Sequence, residues 1–211
     1  MPQSMSRDAL VDRIARSAGE RRIVVAIAGS PGSGKSTLAE WLRDRLNAEV
    51  AGRAEILPMD GFHYDDAILN ARGHRPRKGA PHTFDVDGLA VTLDRLRADD
   101  GREVAVPVFD RKIEIARAGA RIIGPSARIL LVEGNYLLLD DPRWIALRPR
   151  FDLTAMLDVP EAVLRERLTR RWIDLGLSGD ALAAKLDGND FPNMRLVLTQ
   201  SRPADHLVFN G

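Results

Sequence analysis

Short apolar runs alternate along the chain with longer segments whose apolar positions recur every three or four residues. The short runs predict strands, and the longer segments predict amphipathic helices. The predicted strands are Ile23–Ala28, Glu55–Asp60, Val104–Phe109, Arg128–Glu133, Leu153–Asp158 and His206–Phe209. Pro58 favours an edge position for the second strand, and Pro107 interrupts the third.

Helices are predicted between these strands. They cover residues 6–18, about 34–47, the segment after the N-cap candidate Asp85, the segment after Pro160, and 193–201. Pro160 is expected at the first helical position, before an apolar stripe formed by Leu164, Leu168, Trp172 and Leu175. This alternation predicts an α/β fold, a doubly wound parallel sheet flanked by helices, in one domain over residues 1–211.

The segment over residues 61–84 is polar and rich in Gly, Pro, Arg and His. From this composition we expect a mostly irregular excursion, with one helical turn near 67–70. A loop this long in a compact domain is usually functional or mobile. Its basic residues are Arg72, His74, Arg75, Arg77 and Lys78. They predict either a loop that closes over a substrate or a solvated loop.

Composition narrows the function classes. The chain has 31 Lys and Arg, 30 Asp and Glu and a formal net charge of +1, so we expect neither nucleic acid nor a membrane surface as a partner. It has no cysteine, which excludes disulfide scaffolds, cysteine nucleophiles and thiolate metal sites. Its apolar runs are too short to span a bilayer, and no secretion signal is visible. We therefore expect a cytoplasmic protein.

A phosphate-binding loop is the strongest motif. The segment GSPGSGKS at 29–36 matches G-x-x-x-x-G-K-[ST], follows a predicted buried strand and opens a predicted helix. Its backbone N–H groups would cradle the phosphates of ATP, Lys35 would reach the β- and γ-phosphates, and Ser36 would bind Mg²⁺. The predicted nucleotide-binding residues are Gly29, Ser30, Pro31, Gly32, Ser33, Gly34, Lys35, Ser36 and Thr37.

Two carboxylates end predicted strands at the edge where parallel sheets bind ligands. Glu133 is a candidate for the metal shell together with Ser36. Asp60 is a candidate for the base that orients and deprotonates an acceptor hydroxyl. The sequence alone also permits the reverse assignment of these two acids.

Five segments occur in a fixed order: GSPGSGKS at 29–36, DGFH at 60–63, RKGAPHTFD at 77–85, PVFD at 107–110 and VEGN at 132–135. Together they resemble the phosphoribulokinase/uridine kinase family, which includes bacterial type I pantothenate kinases. The similarity covers about 20–210. Within the family, the chain looks most like small bacterial nucleoside/nucleotide kinase family proteins, also called fructose transport system kinases.

The resemblance implies an ATP-dependent kinase for a small hydroxylated acceptor, with Asp60 as catalytic base and Glu133 in the metal and acceptor region. Arg111 falls where pantothenate kinases carry an acceptor-contacting His, so we expect it to contact a different acceptor. His63, Asn135 and Tyr136 are further candidate acceptor contacts, with structural roles as the alternative.

The helix after Pro160 resembles the lid of this family, and we expect the lid-like region to cover 160–188. Among its arginines, Arg167 and Arg171 share a face and are candidates to stabilise the transferring charge. The alternative is a solvated basic face paired with nearby glutamates. Trp172 is expected in the core rather than at a ligand.

The function expected from these features is transfer of the γ-phosphoryl group of ATP to a hydroxyl of a small metabolite. The acceptor would be a sugar such as fructose, a pantothenate-like acid or a nucleoside. The alternatives are a nucleotide-dependent regulatory ATPase that uses water as nucleophile and a binding protein without catalysis. A monomer or a homodimer is expected.

Overall fold

Six parallel strands form the centre of the computed structural model, which describes residues 3–211. The first two residues of the predicted domain lie outside that range. The strands are β1 (Gln3–Met5), β2 (Ile23–Ala28), β3 (Ala54–Pro58), β6 (Ile129–Gly134), β7 (Leu153–Asp158) and β8 (His206–Phe209). Their order across the sheet is β1-β8-β7-β2-β6-β3. Pro58 therefore lies in an edge strand, as predicted.

Helices cover both faces of this sheet. They are α1 (Arg7–Ser17), α2 (Lys35–Asn47), α3 (Asp66–Ala71), α4 (Val86–Arg97), α5 (Pro142–Ile145), α6 (Glu161–Asp174), α7 (Gly179–Lys185) and α8 (Phe191–Gln200). Successive residues of β2 are all buried and alternate between two cores: Val24 packs with α4 and α5, whereas Val25 packs with α1, α2 and α6. A strand buried on both faces needs a continuous apolar sequence, and this confirms the predicted doubly wound α/β fold.

A β-hairpin forms a second sheet that the sequence did not predict. Strands β4 (Val104–Asp110) and β5 (Ile115–Ile123) pair antiparallel, with an irregular register between Val106 and Val108. Pro107, which has no N–H to donate, lies at that irregularity. Strand β5 was missed because eight of its nine residues are not buried, and its sequence therefore lacks an apolar alternation.

Three local predictions need correction. Pro160 is the N-cap of α6 and not its first helical residue, and Leu175 lies after the helix end with 65% of its surface exposed. The segment over 61–84 is more regular than expected, because it contains α3 and short 3₁₀ helices. The Asp85 carboxylate accepts a hydrogen bond from the Gly88 N–H, as an N-cap should.

No helix over residues 3–211 is long and apolar enough to cross a membrane.

Candidate active site

The phosphate-binding loop joins β2 to α2 in the middle of the sheet. Gly32 and Gly34 have φ angles of +84° and +86°, values that L side chains rarely adopt. Helix α2 begins at Lys35 without a side-chain cap, so its first N–H groups remain available. The Asn210 side-chain amide donates to the Ser33 carbonyl oxygen at 2.7 Å and braces the loop. The loop is thus a backbone cradle for an anion.

Ser36 and Glu133 meet beside this cradle. The Ser36 hydroxyl donates to Glu133 Oε2 at 3.1 Å, because β6 lies next to β2 and brings Glu133 opposite Ile27. Burial raises the pKa of Glu133, and the nearby Lys35 ammonium opposes that rise. Among residues 3–211, no group of three His, Asp or Glu side chains could hold a metal. Mg²⁺ fits such a site, because it commonly takes one or two protein oxygens together with phosphates and water.

The Lys35 ammonium lies close to both candidate acids. Its pKa is lowered by burial, whereas the charges of Glu133 and Asp60 act to raise it. The three side chains therefore share one electrostatic environment although they come from three different segments.

Asp60 lies in a 3₁₀ helix, Met59–Phe62, that follows β3. The strand ends at Pro58, two residues earlier than predicted. One Asp60 carboxylate oxygen, Oδ2, accepts from Arg111 Nη2 at 2.7 Å, and Arg111 comes from the turn of the hairpin. A Cβ added to Gly61 would lie 2.4 Å from the Pro107 carbonyl oxygen, so this glycine lets the hairpin approach Asp60.

A cavity of about 260 Å³ extends from the loop to the hairpin. It brings together most of the residues singled out from the sequence: Pro31, Gly32, Gly34, Lys35, Ser36, Thr37, Asp60, His63, Arg111, Asn135 and Arg171. Within residues 3–211, the Arg171 side chain forms no ion pair or hydrogen bond, although the charges of Asp190 and Asp60 act on it. Glu133 borders an adjoining cavity of about 180 Å³, which also contains Ser36 and Asp60.

Some candidates lie outside these two cavities. Tyr136 is fully buried and donates its hydroxyl to the Gly79 carbonyl oxygen at 2.6 Å. It therefore holds the 61–84 segment from within the core and does not border the cavity. Arg167 donates to the Asn210 carbonyl oxygen at 3.0 Å and braces the end of the chain. Gly29, Ser30 and Ser33 belong to the loop but do not border the main cavity.

A sequence profile of the phosphoribulokinase / uridine kinase family matches residues 24–207. The chain belongs to this family. Escherichia coli (strain K12) YggC is 38% identical over 90% of this chain and 78% of its own length. A Schizosaccharomyces pombe protein described as "Putative uridine kinase C227.14" is 35% identical over 84% of this chain and 79% of its own.

A solved structure is similar over nearly the whole chain. The "putative fructose transport system kinase" from Silicibacter sp. TM1040 is 44% identical, with a TM-score of 0.89 over 97% of this chain and 99% of that one. These findings confirm the resemblance based on the five sequence segments. As a member of the phosphoribulokinase / uridine kinase family, the chain is a P-loop kinase.

The kinase cavity also contains residues that the sequence analysis did not assign to a site. They include Trp172, Asn189, Asp190 and Asn193. The cavity also contains Arg75 and Lys78 of the basic 61–84 segment, for which a loop closing over a substrate was one of the two predictions. Asn189 and Asp190 belong to a π-helix, Leu186–Asp190, a rare element that often marks functional positions. Trp172 was assigned to the core, but its indole N–H donates to Asp190 Oδ2 at the cavity wall. The spacing of apolar residues along the helix does not predict that Trp172 borders the cavity.

Proposed function

We propose that this family member transfers the γ-phosphoryl group of ATP to a hydroxyl group of a small metabolite. The observation that carries the proposal is the position of Asp60, whose carboxylate borders the same cavity as Lys35 and the uncapped start of α2. A cavity that combines a phosphate cradle with a carboxylate can hold a donor and an acceptor together. Such positioning supplies much of the rate enhancement in phosphoryl transfer.

Each part of the phosphate side has a role in this proposal. The Gly29–Thr37 loop holds the phosphates, and Lys35 contacts the transferring group. Ser36 and Glu133 would hold Mg²⁺, which neutralises charge on the phosphate oxygens when bound. Arg171 has no intramolecular partner among residues 3–211, which favours it over Arg167 as the lid arginine.

Asp60 serves as the base that accepts the proton of the acceptor hydroxyl. Its Oδ2 is occupied by Arg111, which leaves Oδ1 for a substrate. Glu133 suits the metal shell better, because it accepts a hydrogen bond from Ser36, the proposed Mg²⁺ ligand. His63, Asn135 and Arg111 line the acceptor half of the cavity. Tyr136 contributes only indirectly, through Gly79.

The proposed acceptor is a sugar, a pantothenate-like acid or a nucleoside. The related proteins described as fructose transport system and uridine kinases support the first and last of these. Cytoplasmic location, a monomeric or homodimeric state and the absence of nucleic-acid or membrane partners belong to the same proposal.

The direct test measures ADP release from MgATP, without an acceptor and then with fructose and other sugars, pantothenate, glycerate and ribonucleosides. We expect one compound to stimulate release strongly. Asp60→Asn should then lower kcat for that compound by about 10²–10⁴-fold, the usual contribution of a positioned general base. Asp110→Asn is the matched control, because Asp110 lies on the same hairpin as Arg111 but borders neither cavity.

Two outcomes would contradict this proposal. Full transfer activity in folded Asp60→Asn would remove Asp60 as the base. Rapid ADP release that no compound stimulates would favour the regulatory ATPase, in which water replaces the acceptor.

A further inference from the structure

The peptide between Ser33 and Gly34 lies inside the phosphate-binding loop, and Gly34 borders the main cavity. In a trans peptide, the C=O group and the following N–H group point in opposite directions. No cis peptide bond occurs among residues 3–211. A contact that fixes the Ser33 carbonyl oxygen therefore also fixes the direction of the Gly34 N–H.

Asn210 holds this carbonyl oxygen from outside the cavity. Its Nδ2 donates to the Ser33 oxygen at 2.7 Å, and Asn210 itself does not border the cavity. The Gly34 N–H has no hydrogen-bond partner among residues 3–211. It points away from Asn210, toward the cavity, and is free to donate to a phosphate oxygen. The contact is close, since a Cβ added to Gly34 would lie 2.7 Å from Asn210 Nδ2.

Three other contacts hold Asn210 in place. Its backbone N–H donates to the Asp158 carbonyl oxygen at 3.0 Å, at the end of β7. Arg167 of α6 donates to the Asn210 carbonyl oxygen at 3.0 Å, and Arg7 of α1 donates to Asn210 Oδ1. Because Oδ1 faces a donor, the amide orientation is defined, and Nδ2 faces the Ser33 oxygen. Asn210 is thus fixed by the central sheet and by two helices.

Helix α6 supports the loop at two points. It packs directly against Gly32, where an added Cβ would lie 3.2 Å from Leu168 Cγ. It also supports Ser33 indirectly, because Arg167 holds the backbone of the residue that bonds to the Ser33 oxygen. Arg167 therefore contributes to the phosphate side through Asn210.

From these contacts we infer that Asn210 is a positioning residue for the nucleotide: it turns the Ser33–Gly34 peptide so that the Gly34 N–H faces the phosphates. This role rests on the proposed kinase function and adds to it a residue that is far from the loop in sequence. Asn210 acts through the loop backbone, since it does not border the cavity. Without this bond, rotation of the peptide would present the Ser33 oxygen to the phosphates and repel them.

Titration calorimetry with MgADP tests this inference without an acceptor. Asn210→Leu keeps the approximate size of the side chain and removes the donor. We expect it to raise the Kd for MgADP about tenfold, the equivalent of one hydrogen bond to a charged group. Asn210→Ala should give a similar rise and replaces the leucine variant if that variant does not fold. A Kd within about twofold of the wild-type value in the folded variant would overturn the inference.

Asn47→Leu is the matched control. Asn47 also joins two segments through its amide: Nδ2 donates to the Ala54 carbonyl oxygen at 3.0 Å, and Oδ1 accepts from the Ala54 N–H at 2.7 Å. It ends α2 at the opposite end from the loop and borders neither cavity. We expect this variant to lose stability in urea denaturation and to keep the Kd for MgADP. An equal rise in Kd for both variants would show that Asn210 has only a structural role.

NMR of the Gly34 amide provides a signature that a structural role would not produce. In the wild type, MgADP should move the Gly34 amide proton resonance downfield, because this N–H gains a bond to a charged oxygen. At saturating MgADP, the shift should be smaller in Asn210→Leu, whereas Asn47→Leu should retain it. Equal shifts in all three proteins would overturn the inference and leave the kinase proposal standing. Failure of the wild-type protein to bind MgADP would overturn both.

Discussion

The two halves of the cavity are built in different ways. The phosphate cradle comes from one continuous segment, the loop between β2 and α2 at the centre of the main sheet, and β6 and α6 add only Glu133 and Arg171 to it. The acceptor side comes from the 3₁₀ helix Met59–Phe62, the 61–84 segment, the hairpin and the π-helix, which are far apart in sequence. The first half offers the uncapped N–H groups of one helix start, whereas the second offers charged side chains that already pair with one another, Lys78 and Arg75 with Asp66 and Arg111 with Asp60.

This contrast indicates that the two halves bind by separate means. A triphosphate needs uncompensated positive charge, which a helix start and a lysine supply in one place. A small acceptor needs a shaped set of polar contacts, which several segments must supply together. Substitutions on the phosphate side should therefore affect all acceptors equally, and those on the other side should affect one acceptor more than another.

Among the substitutions that compare the two halves, the largest effect is expected for Lys35→Met. Loss of a cation at the transferring phosphoryl group should lower kcat by about 10²–10³-fold for every acceptor and for background hydrolysis alike. The ADP-release assay measures both, and Lys112→Met, an exposed position on the hairpin turn, is the control. Losses that differ strongly between acceptors would show that the halves are not separable.

Arg171 and Arg167 provide a comparison within one helix, at positions four residues apart. We expect Arg171→Met to lower kcat by about 10–10²-fold, because this arginine faces the cavity. Arg167→Met should instead lower the free energy of unfolding by about 1 kcal/mol, because it loses its bond to the Asn210 carbonyl oxygen. Rapid kinetics and urea denaturation distinguish the two, and a larger kcat loss for Arg167→Met would reverse the assignment.

Gly61→Ala should alter the acceptor side through its backbone. The added methyl would collide with the Pro107 carbonyl and force the hairpin away from Asp60, at a cost of about 1–3 kcal/mol in unfolding free energy. KM for the acceptor should rise more than KM for ATP. Gly19→Ala is the matched control, since nothing lies within 4 Å of a Cβ added there. Equal stabilities of the two variants would refute this contact.

The smallest effect concerns pH and His63. Burial holds the pKa of this imidazole below its ordinary value of 6.5, against the opposing charge of Asp60. As the pH falls, the unfolded chain therefore binds a proton at His63 before the folded protein does. The neutral ring contributes stability above pH 6.5, and that stability is lost as the pH falls below this value. In His63→Gln, the unfolding free energy should fall less between about pH 7.5 and 5.5 than in the wild type. Equal pH dependence would contradict a buried neutral His63.

The sequence predicted which residues meet beside the phosphate-binding loop, because they are close in the chain or end neighbouring buried strands. The meeting of Ser36 with Glu133 follows from the adjacency of β2 and β6, two strands with continuous apolar runs. The acceptor side was less predictable. Tyr136 was a candidate acceptor contact, with a structural role as the alternative. The side chain of a tyrosine soon after a strand can point into the site or into the core, and this one is buried in the core.

The missed residues depend on contacts between distant segments. Asp190 and Trp172 are 18 residues apart, and only the π-helix brings them together. Lys78 lies opposite the hairpin turn, an element that the polar sequence of β5 concealed. No periodicity within one segment encodes such meetings, because they arise from how the elements pack.

The hairpin that carries Arg111 pairs only with itself among residues 3–211 and shares no ladder with the central sheet. Its two strands bond to each other and not to the central sheet, so the turn can change in length or sequence while the six-stranded sheet stays intact. The hairpin turn can therefore be exchanged between relatives. A turn from a relative would place different side chains beside the acceptor, so one phosphate-binding centre would serve different acceptors after a change of a few residues.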